Sequence, residues 1–208
     1  MNLKNTIIIV GHYGSGKTNI SANLALKLAD EGQVVTVVDL DVVNPYFRTA
    51  DFKELFADKN IKLVASKYAN SGLDVPALGF GNLGAMNSDE YVIIDVGGDD
   101  EGAKALGRYA ENLKQHEYDM LYVVNKYRYL TQKPEEALEL LGYIEAASGL
   151  KCTGIINNSH LCSETTREII EASLPYANEI AEKSGLPLVY TAGKDFPVQV
   201  LVKTVWQT

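Results

Sequence analysis

The segment Gly11-His12-Tyr13-Gly14-Ser15-Gly16-Lys17-Thr18 constrains this chain more than any other. It fits the pattern G-x-x-x-x-G-K-[ST], with the apolar run Thr6–Val10 before it and a helical pattern over Lys17–Glu31 after it. Strand, glycine-rich turn and helix in that order open a βαβ unit. Such a unit commits a chain to parallel strands with helices packed on the sheet.

The rest of the sequence repeats the alternation. Apolar, β-branched runs at Val34–Asp39, Ile61–Val64, Tyr91–Asp95, Met120–Val124, Thr153–Asn157 and Leu188–Thr191 predict six further strands. Several lack polar alternation, as strands buried on both faces should. Helical patterns fall at Thr49–Asp58, Glu101–Gln115, Pro134–Ser148 and Glu164–Ser184. Gly32, Gly149 and Gly185 stand where helices should stop, and Pro134 opens one with Glu135 and Glu136 in its first turn. Residues 66–90 carry no clean period and read as a long irregular connection. No repeat or linker divides the chain. The expectation is one α/β domain over residues 1–208: a mostly parallel sheet of about seven strands with helices on both faces, in three α/β/α layers.

Composition narrows the setting. A formal net charge of -8 argues against a surface that coats nucleic acid or anionic lipid. The run Thr6–Val10 is too short to cross a bilayer, and Cys152 and Cys162 are too few for a disulfide framework. A cytoplasmic location, with no membrane partner, is expected. The two thiols read as buried and inert.

The glycine-rich segment has a chemistry of its own. Glycines let the backbone fold so that successive N–H groups point at phosphate oxygens, and the following helix adds the positive end of its dipole. Gly11, Tyr13, Gly14, Ser15, Gly16, Lys17, Thr18 and Asn19 are therefore the candidate nucleotide contacts of a P-loop. Lys17 can reach the β- and γ-phosphates as a catalytic cation, and the Thr18 hydroxyl can ligate Mg²⁺. Phosphoryl transfer also needs carboxylates near the metal. Two strands end in acids: Val37-Val38-Asp39-Leu40-Asp41 and Ile93-Ile94-Asp95-Val96-Gly97-Gly98. At the carboxyl ends of parallel strands they stand where ligands bind in open α/β sheets. Asp95 is the natural Walker B residue, and Gly97 or Gly98 can offer a backbone N–H to the γ-phosphate.

The loop Gly11–Thr18, the Asp39-x-Asp41 segment, the Asp95-x-Gly-Gly segment and the order of strands together resemble the MinD/ParA group of P-loop ATPases, relatives of the nitrogenase iron protein. The resemblance covers most of the chain. It implies an ATPase that alternates between ATP and ADP with Mg²⁺, and a switch that reports its state to a protein partner, with a homodimer as the ATP-bound form. It places Asp39, with Thr18 and Asp95, around the metal and makes Asp41 the residue that orients the attacking water. It puts the adenine contact at Asn157 or Asn158. The family's loop carries a second lysine after its first glycine, where this chain has His12. A neutral imidazole supplies no permanent charge, so that cation is missing or comes from elsewhere, such as Arg48, Lys104, Arg108 or Arg128. Turnover without a partner is expected to be slow.

Other features are less decisive. The stretch Asp41-Val42-Val43-Asn44-Pro45-Tyr46-Phe47-Arg48 should lie beside the γ-phosphate, with Tyr46 and Phe47 packed on the core or offered to a partner. Asn125-Lys126 is similar to the pair by which GTPases read guanine, but Arg128 stands where the acid that receives guanine's N–H donors belongs, which favours ATP. His116 and His160 read as surface residues. The tail Asp195–Thr208, with Lys203 as its one cation, reads as an edge strand or packing tail, not a membrane-binding helix. Other relatives imply other activities on this scaffold: a small-molecule kinase or ATP-dependent ligase of the dethiobiotin synthetase type, or a metal- or cluster-insertion ATPase.

Overall fold

Ile7 and Ile9 face one side of the first strand and Ile8 and Val10 the other, and all four are buried. A strand with no polar face has to be covered twice. The computed structural model describes residues 3–41, 52–65, 89–161, 164–195, 197–199 and 201. Within them lie strands β1 (Thr6–Gly11), β2 (Val34–Leu40), β3 (Lys62–Ala65), β4 (Glu90–Val96), β5 (Tyr118–Val124), β6 (Gly154–Asn157) and β7 (Leu188–Thr191). The helices are α1 (Lys17–Asp30), α2 (Lys53–Asp58), α3 (Asp99–Gly107), α4 (Ala110–Leu113), α5 (Pro134–Ser148) and α6 (Arg167–Ser184). The strands form a single sheet in the order β3-β2-β4-β1-β5-β6-β7, and every pairing is parallel.

The two faces of the sheet carry separate cores. Ile7, Ile9, Val35, Val37, Ile93, Leu121 and Val123 pack under α1 through Ile20, Leu24 and Leu28, with Phe56 of α2 at the margin. On the opposite face Ile8, Val10, Val38, Ile94, Met120 and Tyr122 meet α3, α4, α5 and α6. Strand β1 sits between β4 and β5, so chain order reverses on either side of it. The carboxyl edge at this reversal is where a crevice opens in sheets of this kind.

The expected α/β fold of seven parallel strands is the observed one. Several boundaries differ, three of them as follows. The single helix expected over Glu101–Gln115 begins earlier, at Asp99, and breaks after Gly107. There the Tyr109 N–H turns to the Leu106 carbonyl, and the backbone of Gly107 approaches the last turn of α5, a Cβ at that position standing 2.9 Å from the Ala147 carbonyl oxygen. Helix α6 starts at Arg167, because the Thr166 side chain accepts from the Ile169 N–H and fixes the cap. β3 is displaced by one residue from Ile61–Val64. The start of the helix expected at Thr49, and most of the connection over 66–90, lie outside the described residues.

The tail packs. Val198 and Leu201 lie against the α1 face of the sheet, and Asn23 of α1 both donates to the Gln199 carbonyl at 2.9 Å and accepts its N–H at 2.8 Å. Among the described helices none is long and apolar enough to cross a membrane.

Because Ile94 is wholly buried in a close-packed layer, Ile94→Ala is expected to destabilise the protein by about 2–5 kcal/mol in a denaturant titration. Val34, at 63% exposure on the first position of β2, should tolerate threonine with a change under about 0.5 kcal/mol. Equal effects at the two positions would contradict the doubly covered sheet.

Candidate functional site

The glycine-rich loop leaves β1 at Gly11 and enters α1 at Lys17. Its turn is closed by the Ser15 N–H donating to the His12 carbonyl at 3.1 Å. Gly16 caps the helix in a left-handed conformation (φ 92°), and a Cβ there would stand 2.2 Å from the Asn158 Nδ2, which itself donates to the Ser15 carbonyl at 2.8 Å. Only glycine meets both demands. No side chain caps α1 and its first turn holds no acid, whereas α6 has Thr166 and Glu168, and in α5 Glu136 accepts the Lys133 N–H. The first turn of a helix leaves backbone N–H groups with no intrahelical acceptor, the condition for holding an anion.

Opposite the loop stand the acids. Asp39 and Asp95 are direct partners in the β2–β4 register, and both are buried. The Ser21 hydroxyl donates to Asp95 Oδ1 at 3.1 Å, while Oδ2 has no partner among the described residues. Burial pushes the Asp95 carboxyl up to about 7, and the neighbouring Asp39 adds to the effect; the Lys17 charge and the Thr18 and Ser21 hydroxyls pull it back. A buried carboxylate with an open oxygen beside a second carboxylate fits a divalent cation, which would reverse that penalty. Among the described residues no three His, Cys, Asp or Glu side chains gather as a closed metal cage.

The loops after β1, β2 and β4 meet. The Asp41 N–H donates to Asp39 Oδ1 at 3.0 Å, and the Asp41 carboxylate lies so near Gly97 that a Cβ there would be 2.8 Å from its Oδ1. Gly98 caps α3 and abuts the glycine loop: its Cβ would fall 2.8 Å from the Tyr13 Cα. Lys17 is buried and its Nζ donates to the His12 carbonyl at 3.1 Å, within its own loop. Tyr13 is exposed and Thr18 half-buried.

The candidates beyond β5 and β6 divide. Asn157 is committed to the scaffold, donating to the Ser173 hydroxyl at 2.9 Å and accepting the Ser159 N–H at 3.2 Å. Asn158 touches the loop, and its Oδ1 is buried without a partner among the described residues. Asn19 accepts the Leu201 N–H at 2.9 Å, so its side chain anchors the tail. In the Asn125-Lys126 pair, Asn125 Oδ1 accepts the Tyr127 N–H at 3.0 Å and Lys126 donates to the Ala172 carbonyl of α6 at 3.0 Å.

Two neighbours escaped sequence reading. Ser21 lies one turn beyond Thr18 on α1, so helical spacing alone points it toward the same acid. His160, expected at the surface, is half-buried, with Nε2 3.5 Å from where a Gly16 Cβ would stand. Burial, with the Arg128 charge beside it, holds its pKa below the ordinary histidine value. Its position just past the carboxyl end of β6 was the available signal. Arg48 and the rest of the loop over 42–51, together with Cys162, lie outside the described residues; Cys152 is buried, which pushes its thiol well above the ordinary range.

Asp95→Asn keeps the shape of the side chain while deleting a buried charge. The unliganded variant is expected to melt at or above the wild-type temperature at pH 8. A fall of more than about 5 °C would mean that the ionised carboxylate is a net stabiliser of the unliganded fold.

Against known proteins, the model of the CobQ/CobB/MinD/ParA nucleotide binding domain matches residues 7–171. No curated protein matches the chain in sequence. Similar solved structures include FtsY from Mycoplasma mycoides (TM-score 0.62, 20% identity, 90% of this chain and 59% of that one) and the cell division protein FtsY from Thermotoga maritima (0.60, 21%, 92% and 64%). Another is the signal recognition particle 54 kDa protein from Aeropyrum pernix, solved in complex with GDP (0.62, 19%, 91% and 41%). The chain spans less than two thirds of the length of each, and at these identities the likeness is one of fold.

Proposed function

The chain belongs to the CobQ/CobB/MinD/ParA nucleotide-binding domain family, and on that premise we propose that it binds ATP with Mg²⁺, hydrolyses it, and acts as a nucleotide-driven switch for a protein partner. The observation that carries the reading is the meeting of three strand-end loops. They bring Lys17, Asp39, Asp41 and the buried, half-satisfied Asp95 to one edge of the sheet, beside a helix N-terminus that no side chain caps.

In this reading the loop N–H groups and Lys17 hold the β- and γ-phosphates, and Thr18, Asp39 and Asp95 hold the cation directly or through water. Mg²⁺ held by these residues would supply charge neutralisation at the transferred phosphate. Asp41 orients the water that attacks the γ-phosphorus. Most of the rate gain comes from positioning and fixed positive charge.

Adenine is preferred to guanine. The lysine of the Asn125-Lys126 pair is turned to α6, and Arg128 stands where an acid would receive guanine's N–H donors, while the unpartnered Asn158 Oδ1 can accept from the adenine amino group. The switch has a route outward. A Cβ on Gly102 would fall 2.0 Å from the Gly97 carbonyl oxygen, so the loop that meets Asp41 is packed directly on α3. Movement of Gly97 and Gly98 on loss of the γ-phosphate would displace that helix, which packs in turn on α5.

Binding and turnover of ATP and GTP, with and without Mg²⁺, test this on wild type and Lys17→Ala. Mg-dependent ATP binding is expected, with hydrolysis reduced at least about a hundredfold by the substitution. GTP bound as tightly as ATP would remove the base assignment, and absence of nucleotide binding would remove the whole reading. Asn158→Ala should weaken ATP binding about tenfold, roughly 1.4 kcal/mol, whereas Asn157→Ala should lower the melting temperature and leave ATP affinity of the folded protein nearly unchanged.

A further inference from the structure

We propose that Arg128 is a catalytic cation that acts in cis, its guanidinium meeting the terminal phosphates of the bound nucleotide; the proposal rests on the nucleotide-hydrolysing reading above. The chemistry calls for such a group. As water bonds to the γ-phosphorus, the bond from that phosphorus to the β–γ bridging oxygen breaks. Its electron pair stays on the oxygen, now part of the diphosphate, and the water's proton leaves with the released phosphate or to solvent. Negative charge grows on the bridging and γ-oxygens, and a second fixed cation beside Lys17 lowers the barrier. At the position after the loop's first glycine stands His12, whose Nδ1 lies 2.6 Å from the Tyr13 carbonyl oxygen, within the loop's own backbone.

The described cations separate cleanly by position. Lys104 is exposed and paired with Glu101 at 3.0 Å. Arg108 follows the far end of α3, where Gly107 packs on the last turn of α5, a helix length from Gly98. Arg128 lies over the glycine loop itself: its Nε, Cδ and Cζ stand 3.7, 3.8 and 3.8 Å from where a Gly14 Cβ would be. It is exposed, and among the described residues its guanidinium has no carboxylate partner, so its donors remain for an external anion.

The backbone that presents Arg128 is held from several directions. Its N–H donates to the Asn125 carbonyl at 3.2 Å, an oxygen that also accepts from the Thr131 hydroxyl at 3.2 Å. The Lys126 N–H is fixed on the Ser159 hydroxyl at 2.9 Å, and the Lys126 and Tyr127 side chains reach the Ala172 and Ile169 carbonyls of α6 at 3.0 and 2.8 Å. The two residues before Arg128 are thus turned to α6 while Arg128 lies against the loop. A cation placed by a fixed turn loses less freedom on meeting phosphate than one on a free loop.

Single-turnover hydrolysis of Mg-ATP and equilibrium binding of ADP, measured on wild type, Arg128→Ala, Arg128→Lys and the control Arg167→Ala, test the assignment. Arg167 is an exposed arginine of α6 paired with Glu171 at 2.8 Å, away from the loop. Arg128→Ala is expected to slow hydrolysis about a hundredfold to a thousandfold while ADP affinity moves less than about threefold. Arg128→Lys should recover part of the rate, and Arg167→Ala should match wild type. Unchanged hydrolysis in Arg128→Ala overturns the proposal and leaves the ATPase reading intact. A parallel loss of rate and ADP affinity also overturns it, since that marks a residue that supports the loop and not the transferred phosphate. A wild type that cleaves no nucleotide overturns the reading and the proposal together.

Discussion

Strand β1 is hydrogen-bonded to β4 on one side and β5 on the other, and both of its faces are buried. That double constraint fixes where the chain must turn when the strand ends. Gly11 is in register with Val123 of β5, and a Cβ there would meet the Val123 carbonyl oxygen at 2.5 Å. The glycine loop therefore begins at a point held by the sheet, not by its own contacts. The short loops after β2 and β4 arrive at the same edge because their strands run parallel to β1. A shift of one residue in the register of β2 against β4 would separate Asp39 from Asp95 and turn one of them to the other face.

Much of this was legible because it depends on local pattern. Unbroken apolar runs announced buried parallel strands, and Gly11–Thr18 together with the acids at two strand ends placed the site at one edge. What escaped reading depends on tertiary approach. Asn157 and Asn158 are adjacent and chemically identical, yet one is spent on Ser173 and Ser159 and the other touches Ser15; no sequence rule separates them. Asn19, expected at the nucleotide because it follows Thr18, turns its side-chain oxygen to the tail, where it accepts the Leu201 N–H. The break after Gly107 follows from how closely α3 must approach α5, which periodicity does not encode. Helix α6 shows the converse, running through Pro175 on the strength of its packed face at Tyr176, Ala177 and Ile180.

The tail adds a constraint on the same helix that forms the floor of the loop. Asn19 and Asn23 lie four residues apart on α1, so their side chains share one face, and there they act as a surrogate strand for the backbone of Gln199 and Leu201. The three hydrogen bonds, one donated by an amide side chain and two accepted by amide oxygens from backbone N–H groups, are worth about 1 kcal/mol each. Their effect is on position: they tie down the first two turns of α1, whose N–H groups serve the loop. Rigidity at that end matters more than strength, because an anion held by backbone N–H groups is sensitive to their direction.

The arrangement of charge gives the site a direction. Asp39, Asp41 and Asp95 stand on the β2 and β4 side of the loop, while Arg128 and His160 stand on the β5 and β6 side. An anion between them, held as proposed above, would turn its metal-bearing side to the acids and its other oxygens to the guanidinium. Lys17 lies close enough to Asp95 to lower its pKa, yet its Nζ is held by the His12 carbonyl, so the lysine is placed at the junction of the two halves. An unliganded site of this kind is electrostatically unfinished on the acidic side, where burial and the neighbouring Asp39 raise the Asp95 pKa to about 7. In the proposed reading a divalent cation bound with the nucleotide would relieve that strain, so that the acids and the loop would be satisfied by the same ligand.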